Sequence, residues 1–180
     1  MSVVSGMSVQ QLGAAAAHAE MDVLCELLVD SVAGGASVGF LAPLSNAKAR
    51  AFWSKVIASV ESGECLLLVA RNEAGRIDGT VQVVLAQKEN QPHRAEVSKL
   101  LVHRRARKRG LGAVLMQAAE AAARGANRSL LVLDTSTPEA ERLYERLGWQ
   151  TCGRIPDYAL MPDGTPSGVT IYYKAISRAA

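Results

Sequence analysis

The sequence predicts an α/β protein of mixed α+β type: one domain over residues 1–180, with a central mixed β-sheet flanked by helices. Three observations carry that expectation. A chain of 180 residues is long enough for one sizeable core and short of two ordinary domains. Helical and strand patterns alternate in a mixed order, which calls for a sheet covered by helices. Hydrophobic residues make up 49% and charged residues 21%, as in folded soluble proteins, while aromatics are only 4%, so the core is aliphatic and Ala-rich. This composition excludes wholesale disorder and a disulfide-stapled miniprotein. No apolar run reaches the ~18–20 residues of a membrane span.

Taken in order, a first helix is expected to start at Ser8, with Gln11 completing a capping box. It runs through AAAAHAEMDVLCELLVDSVA and stops before Gly34 and Gly35. Only residues 3–4 offer a strand ahead of it. The segment GGASVGFLAP (34–43) is Gly-rich but joins two helical patterns, so it reads as a connecting loop; phosphate cradles sit between a strand and a helix. A second helix follows over about 44–60. CLLLVAR (65–71) is a buried strand run, NEAGR turns the chain, and IDGTVQVVLAQ (77–87) returns as the second arm of an antiparallel hairpin. RAEVSKLLVH (94–103) is a third strand. GLGAVLMQAAEAAAR (110–124) is a helix whose apolar set is Leu111, Val114, Leu115, Ala118 and Ala122, with Gly125 at its C′ position. SLLVLD (129–134) is a short buried strand, and the unit 95–134 should form a right-handed parallel crossover. TPEAERLYERLG (137–148) has Thr137 as N-cap, Pro at N1, acidic residues in the first turn and Gly past the end. Residues 149–176 carry two weaker strands around the turn MPDGTP.

Charge is concentrated. The net charge is +3, yet residues 104–109 read RRARKR, and without them the rest of the chain is net acidic. A compact anion fits such a segment better than a nucleic-acid backbone, which favours a wider basic face. Its position, between a strand and a helix, sharpens this. The N–H groups of a helix's first turn converge on one spot that the helix dipole makes attractive to anions. Gly110 and Gly112 permit close approach to the backbone, and Arg107, Lys108 and Arg109 add charge around Leu111. Neither G-x-G-x-x-G nor GK[S/T] is present, so this is not a dinucleotide fingerprint or a P-loop.

The pattern Arg107-x-x-Gly110-x-Gly112 resembles the [R/Q]-x-x-G-x-[G/A] signature of the GNAT N-acetyltransferase family. The flanking strand and helix, and the later LLVLD…AERLYERLGW, fall in that family's order. The resemblance implies the GNAT acyl-CoA N-acyltransferase fold, with acetyl-CoA in a cleft where the parallel strands 95–102 and 129–134 splay. It implies pyrophosphate binding by Arg107, Lys108, Arg109, Gly110, Leu111 and Gly112. Backbone groups of Lys99, Leu100, Leu101 and Val102 would bond the pantetheine amides, with backbone N–H near Leu101 polarising the thioester carbonyl. Many members carry Asn seven residues before a helical tyrosine; here that position is Thr137. Glu96, Asp134, the tail PDYALMPDGTPSGVTIYYKAI and GGASVGF are similar to the tabtoxin-resistance members of the family, which implies a small, amino-acid-like amine as acceptor.

Three residues are candidates for chemistry. Tyr144 shares a helical face with Ala140 and Leu147. It is either a packing tyrosine or, as the resemblance implies, the donor of a proton to the departing thiolate. Alternation places Glu96, Ser98, Leu100 and Val102 on one strand face and Ala95, Val97, Lys99 and Leu101 on the other. Glu96 is either a strand-end partner of Arg94 or Lys99, or a general base partly desolvated in a cleft. Asp134 ends a parallel strand, where ligands of open sheets sit, or caps the following turn. Cys25, Cys65 and Cys152 form no CxxC pair and read as reduced thiols; His18, His93 and His103 show no metal-ligand spacing, so no metal is expected. MSVVSGMSVQQ has no basic-then-apolar pattern of a secretory leader, which points to the cytoplasm. The expected partner is a small-molecule amine, with no nucleic acid and no membrane, in a monomer or homodimer. Two alternatives stand beside acetyl transfer: a non-catalytic acyl-CoA sensor on the same fold, and a nucleic-acid-binding module using RRARKR.

Overall fold

The computed structural model describes residues 7–177. Seven strands form one mixed sheet: β1 (Ser8–Leu12), β2 (Cys65–Arg71), β3 (Ile77–Leu85), β4 (Arg94–Val102), β5 (Leu130–Thr135), β6 (Gln150–Leu160) and β7 (Pro166–Ala175). Their order is β1-β2-β3-β4-β5-β7-β6. Every pairing is antiparallel except β4 with β5, the expected parallel crossover. Helices α1 (Ala14–Ala19), α2 (Met21–Ala33) and α3 (Asn46–Glu61) cover one face. Helices α4 (Leu111–Gly125) and α5 (Pro138–Arg146) lie on the other. Strand alternation separates two apolar clusters. Leu67 and Val69 of β2 pack with Trp53, Leu24 and Leu28, whereas Leu68 and Ala70 pack with Leu115 and Met116.

Three local expectations are corrected. Residues 8–12 form strand β1, and no capping box starts at Ser8. They pair with β2 from Ser8↔Arg71 to Leu12↔Leu67, because the free edge of β2 offers a ladder that outweighs local helix propensity. The helix begins at Ala14 and breaks at Glu20, whose carboxylate receives Arg71 at 2.7 Å. The strand considered at residues 3–4 lies outside the described residues. Gly125 still belongs to α4; Asn127, at φ 60°, takes the left-handed position instead. In β4 the regular alternation fails. A bulge falls between the pairs Thr80↔Leu101 and Gln82↔Ser98, with Lys99 at φ 50°. The extra residue flips the faces beyond it. Leu100 and Val102 therefore join Ala95 and Val97 on the α4 side, and Leu101 points into the α2–α3 cluster.

Helix α5 is held by a buried polar tie. Glu120 of α4 accepts from Trp149 Nε1 at 3.2 Å and from Lys174 Nζ at 2.8 Å, and Lys174 also donates to the Leu147 carbonyl at 2.6 Å. That contact fixes the end of α5 against α4 and β7, and with it the face bearing Tyr144.

Candidate active site

Strands β4 and β5 pair through only three positions, Arg94↔Leu130, Ala95↔Leu131 and Glu96↔Val132. Beyond them the strands part, and β5 is paired on its other side alone, to β7. The bulge explains the parting: it bends β4 and raises its twist just where β5 would have to follow. Thr80 Oγ1 donates to the Lys99 carbonyl at 3.3 Å and fixes the bulge. The resulting cleft holds about 320 Å³. Its walls include Lys99 and Leu100 from β4, Asp134 from β5, and Thr137, Ala140 and Tyr144 from α5.

At the C-terminal end of β4 a 3-10 turn (Arg104–Ala106) leads to α4. Gly110 caps α4 at φ 80°, a left-handed conformation that glycine adopts without a Cβ penalty. The first intrahelical bonds run from Ala113 and Val114 to the Gly110 carbonyl, so the N–H groups of Leu111 and Gly112 point outward. Gly112 serves a purpose the sequence did not suggest. A Cβ there would sit 3.2 Å from Leu143 Cδ2, so the missing side chain makes room for α5 beside α4, and the neighbouring α5 positions Ala140 and Tyr144 line the cleft.

The basic segment is not uniformly free. Arg104 donates from its backbone N and from Nε to Asp30, at 2.9 and 2.8 Å. Arg105 pairs with Asp78 at 2.8 Å and Glu26 at 3.0 Å, and Arg107 Nε donates to the Val102 carbonyl at 3.1 Å. Lys108 and Arg109 are exposed beside Gly110. Burial works to raise the Asp30 carboxyl, but its bonds from Arg104 hold it below the ordinary value of 3.8. Asp30, Asp78 and Glu26 thus tether the loop to α2 and β3, a support that lies far away in sequence.

Tyr144 is buried, with its ring 5.8 Å from Tyr172 and 6.1 Å from Trp149, and it lines the cleft. Burial first, and then the charges of Asp134 and Tyr172, push its hydroxyl well above the ordinary phenol value. Asp134 is exposed at the cleft wall. Of the two readings open for Glu96, desolvation in the cleft does not match its surroundings: it is exposed on β4, in the last pair with β5, and does not line the cleft. Leu101 is buried, so only its backbone is available to a ligand. Val102 and the loop residues 107–112 are not among the cleft's lining; they follow Leu100 along the chain toward α4. Thr137 caps α5 without a side-chain bond, leaving its hydroxyl at the cleft.

Sequence reasoning passed over part of the wall. Residues 36–39, assigned to a connecting loop, line the cleft, as do Ser98, Ser136 and Tyr158. The glycines of GGASVGF were the available signal, since Gly39 sits at φ 88°. Among the described residues there is no cluster of His, Cys, Asp or Glu that could hold a metal, and no helix is long and apolar enough to cross a membrane. Cys25 and Cys65 are buried, and burial pushes the Cys65 thiol up to about 12.

Residues 63–151 match the family model described as acetyltransferase (GNAT) domain. Solved structures share the fold across nearly the whole chain. A GCN5-related N-acetyltransferase from Kribbella flavida superposes at TM-score 0.78 with 19% identity, covering 95% of this chain and 98% of that one. A phosphinothricin acetyltransferase from Sinorhizobium meliloti, in complex with acetyl-CoA, gives 0.79 with 16% identity over 96% and 90%. A ribosomal-protein-alanine N-acetyltransferase from Brucella melitensis gives 0.76 with 19% identity over 94% and 99%. The chain thus carries an acetyltransferase (GNAT) domain sequence over residues 63–151, within a GNAT fold that spans nearly its whole length.

Proposed function

We propose that the protein transfers an acetyl group from acetyl-CoA to the amine of a small molecule by direct attack within a ternary complex. One observation carries this reading: the cleft that opens where β4 and β5 part has buried Tyr144 and the Asp134 carboxylate on its walls, and β4 runs on through residues 104–109 to the glycine-capped N-terminus of α4. The residues fit the cofactor. Leu111 and Gly112 N–H groups with Lys108 and Arg109 suit a pyrophosphate, the unpaired edge of residues 97–102 suits amides, and Thr137 offers a hydroxyl. Acetyl-CoA supplies an acetyl thioester already activated toward nitrogen.

The chain's own groups then manage two protons. An amine is mostly protonated at neutral pH, and Asp134, on the cleft wall, takes its proton directly or through water. Glu96 is the second candidate, and its exposure outside the cleft ranks it behind Asp134. Backbone N–H groups at the bulge polarise the acyl oxygen. As the N–C bond forms and the C–S bond breaks, Tyr144 gives its proton to sulfur; burial pushes the phenol above its ordinary value, which favours the protonated form that this role needs. The cleft volume and its walls from residues 36–39 and Tyr158 favour a small acceptor. The neighbours' names span phosphinothricin and a ribosomal-protein alanine, so the fold leaves the acceptor open. Internal pairing of Arg104 and Arg105 disfavours the nucleic-acid alternative.

The test is release of free thiol from acetyl-CoA across a panel of amines and amino acids, with acetyl-CoA binding followed by calorimetry. Binding with amine-dependent thiol release supports transfer. Binding with no release from any amine identifies a sensor, and no binding overturns the reading.

A further inference from the structure

We propose that the Lys99 side chain determines specificity, selecting acceptors that carry a carboxylate beside the reacting amine; this rests on the acetyl-transfer reading above. Lys99 and Asp134 line the same cleft, one cation and one anion, the complement of a zwitterion. The Lys99 ammonium lies 5.7 Å from the centroid of the Phe52 ring, and no ion pair closes on it among the described residues. Asp134 and Glu96 act on it only through longer-range fields, while burial pushes it below the ordinary lysine value. A half-buried ammonium that has an aromatic ring beside it and no carboxylate paired to it among the described residues is under-compensated, and a ligand carboxylate would supply what is missing.

The backbone does not explain a lysine here. A residue at φ 50° is least strained as Gly, Asn or Asp, and the bulge is already fixed by Thr80. Nor does the cofactor explain it. Its phosphates belong at the α4 end, beside Lys108 and Arg109, and the thioester is neutral. What remains at the bulge is the acceptor. With the amine at Asp134, a carboxylate one or two carbons away would face Lys99.

The experiment compares kcat/KM for amine pairs with and without the carboxylate: glycine with glycinamide, β-alanine with β-alaninamide, and L-methionine with L-methioninamide. Each pair is measured in the wild type, K99M and K99Q, with a melting curve for each variant. Taking the acid-to-amide ratio in the variant relative to the wild type cancels the differing basicity of the amines. The expected result is a fall in that ratio of about 10- to 100-fold, the loss of one charge-assisted contact. An unchanged ratio, or equal losses for acid and amide, overturns the proposal while leaving acetyl transfer standing. If K99M does not fold, K99Q carries the same comparison. Thiol release from none of the amines overturns the acetyl-transfer reading, and this proposal with it.

Discussion

Replacing Tyr144 with Phe separates chemistry from packing at the centre of the cleft. The ring keeps its neighbours, Tyr172 at 5.8 Å and Trp149 at 6.1 Å, so the apolar burial is nearly unchanged. The hydroxyl makes no hydrogen bond to another described residue, so its loss forfeits none of the roughly 0.5–1.5 kcal/mol that such a bond contributes. A melting temperature within about 2–4 °C of the wild type is therefore expected, given how a chain of this size converts free energy to temperature. Turnover should behave differently. If the phenol protonates the leaving sulfur, kcat for thiol release should fall about 10²–10⁴-fold, with acetyl-CoA affinity held within one hydrogen bond. Wild-type kcat in Y144F would refute the acid assignment and leave Tyr144 as a packing residue. A large fall in kcat accompanied by a collapse in melting temperature would show instead that the cleft wall itself had moved.

Three further expectations follow from the same geometry. D134N should lower kcat about 10²–10⁴-fold while E96Q has a mild effect; the reverse ranking, in steady-state assays on both variants, reassigns the base to Glu96. G112V should crowd the Leu143 side chain and cost about 1–3 kcal/mol of stability, with weakened acetyl-CoA binding by calorimetry; a folded variant with full affinity removes the phosphate-loop assignment. Asp30 titrates below its ordinary 3.8 in the folded protein, so its bonds to Arg104 stabilise the fold fully above that value and cease to do so as the pH falls through the lower folded one. The stability gap between wild type and D30N, from denaturant titrations, should therefore close as the pH falls through and below the ordinary carboxylate value; a gap that persists or widens there contradicts the tether.

Local signals made much of this architecture legible. The runs 65–71, 77–85 and 94–102 carried β-branched and apolar residues between clear turns, and the strand–loop–helix around Gly110 announced itself by charge and glycine in the right order. What stayed hidden depends on partners distant along the chain. β1 exists because β2 has a free edge nearly sixty residues later, while residues 8–12 by themselves allow a helix start. A bulge is one unpaired residue with no compositional mark, and a lysine at positive φ is among its least expected occupants. It therefore inverted the assignment of Leu100, Leu101 and Val102 to faces. The ties from Asp30 and Asp78 to Arg104 and Arg105 turned two of five apparent free cations into struts. Tyr158 reaches the cleft from a strand that is exposed along its length, so no burial pattern marked it.

The brevity of the β4–β5 pairing has a mechanical consequence. The sheet consists of two parts, β1 to β4 and β5 with β7 and β6, joined edge to edge over residues 94–96 of one and 130–132 of the other. A notch that runs in from one end concentrates bending at its tip, here Glu96 and Val132. Its mouth, near the bulge on one side and Asp134 on the other, has the longest lever arm. Peptide groups along the notch must meanwhile find partners in water. A ligand whose amides replaced that water would act as a stitch, coupling the two parts beyond the tip. Because such a ligand binds the folded chain and not the unfolded one, the melting temperature would rise as the notch fills.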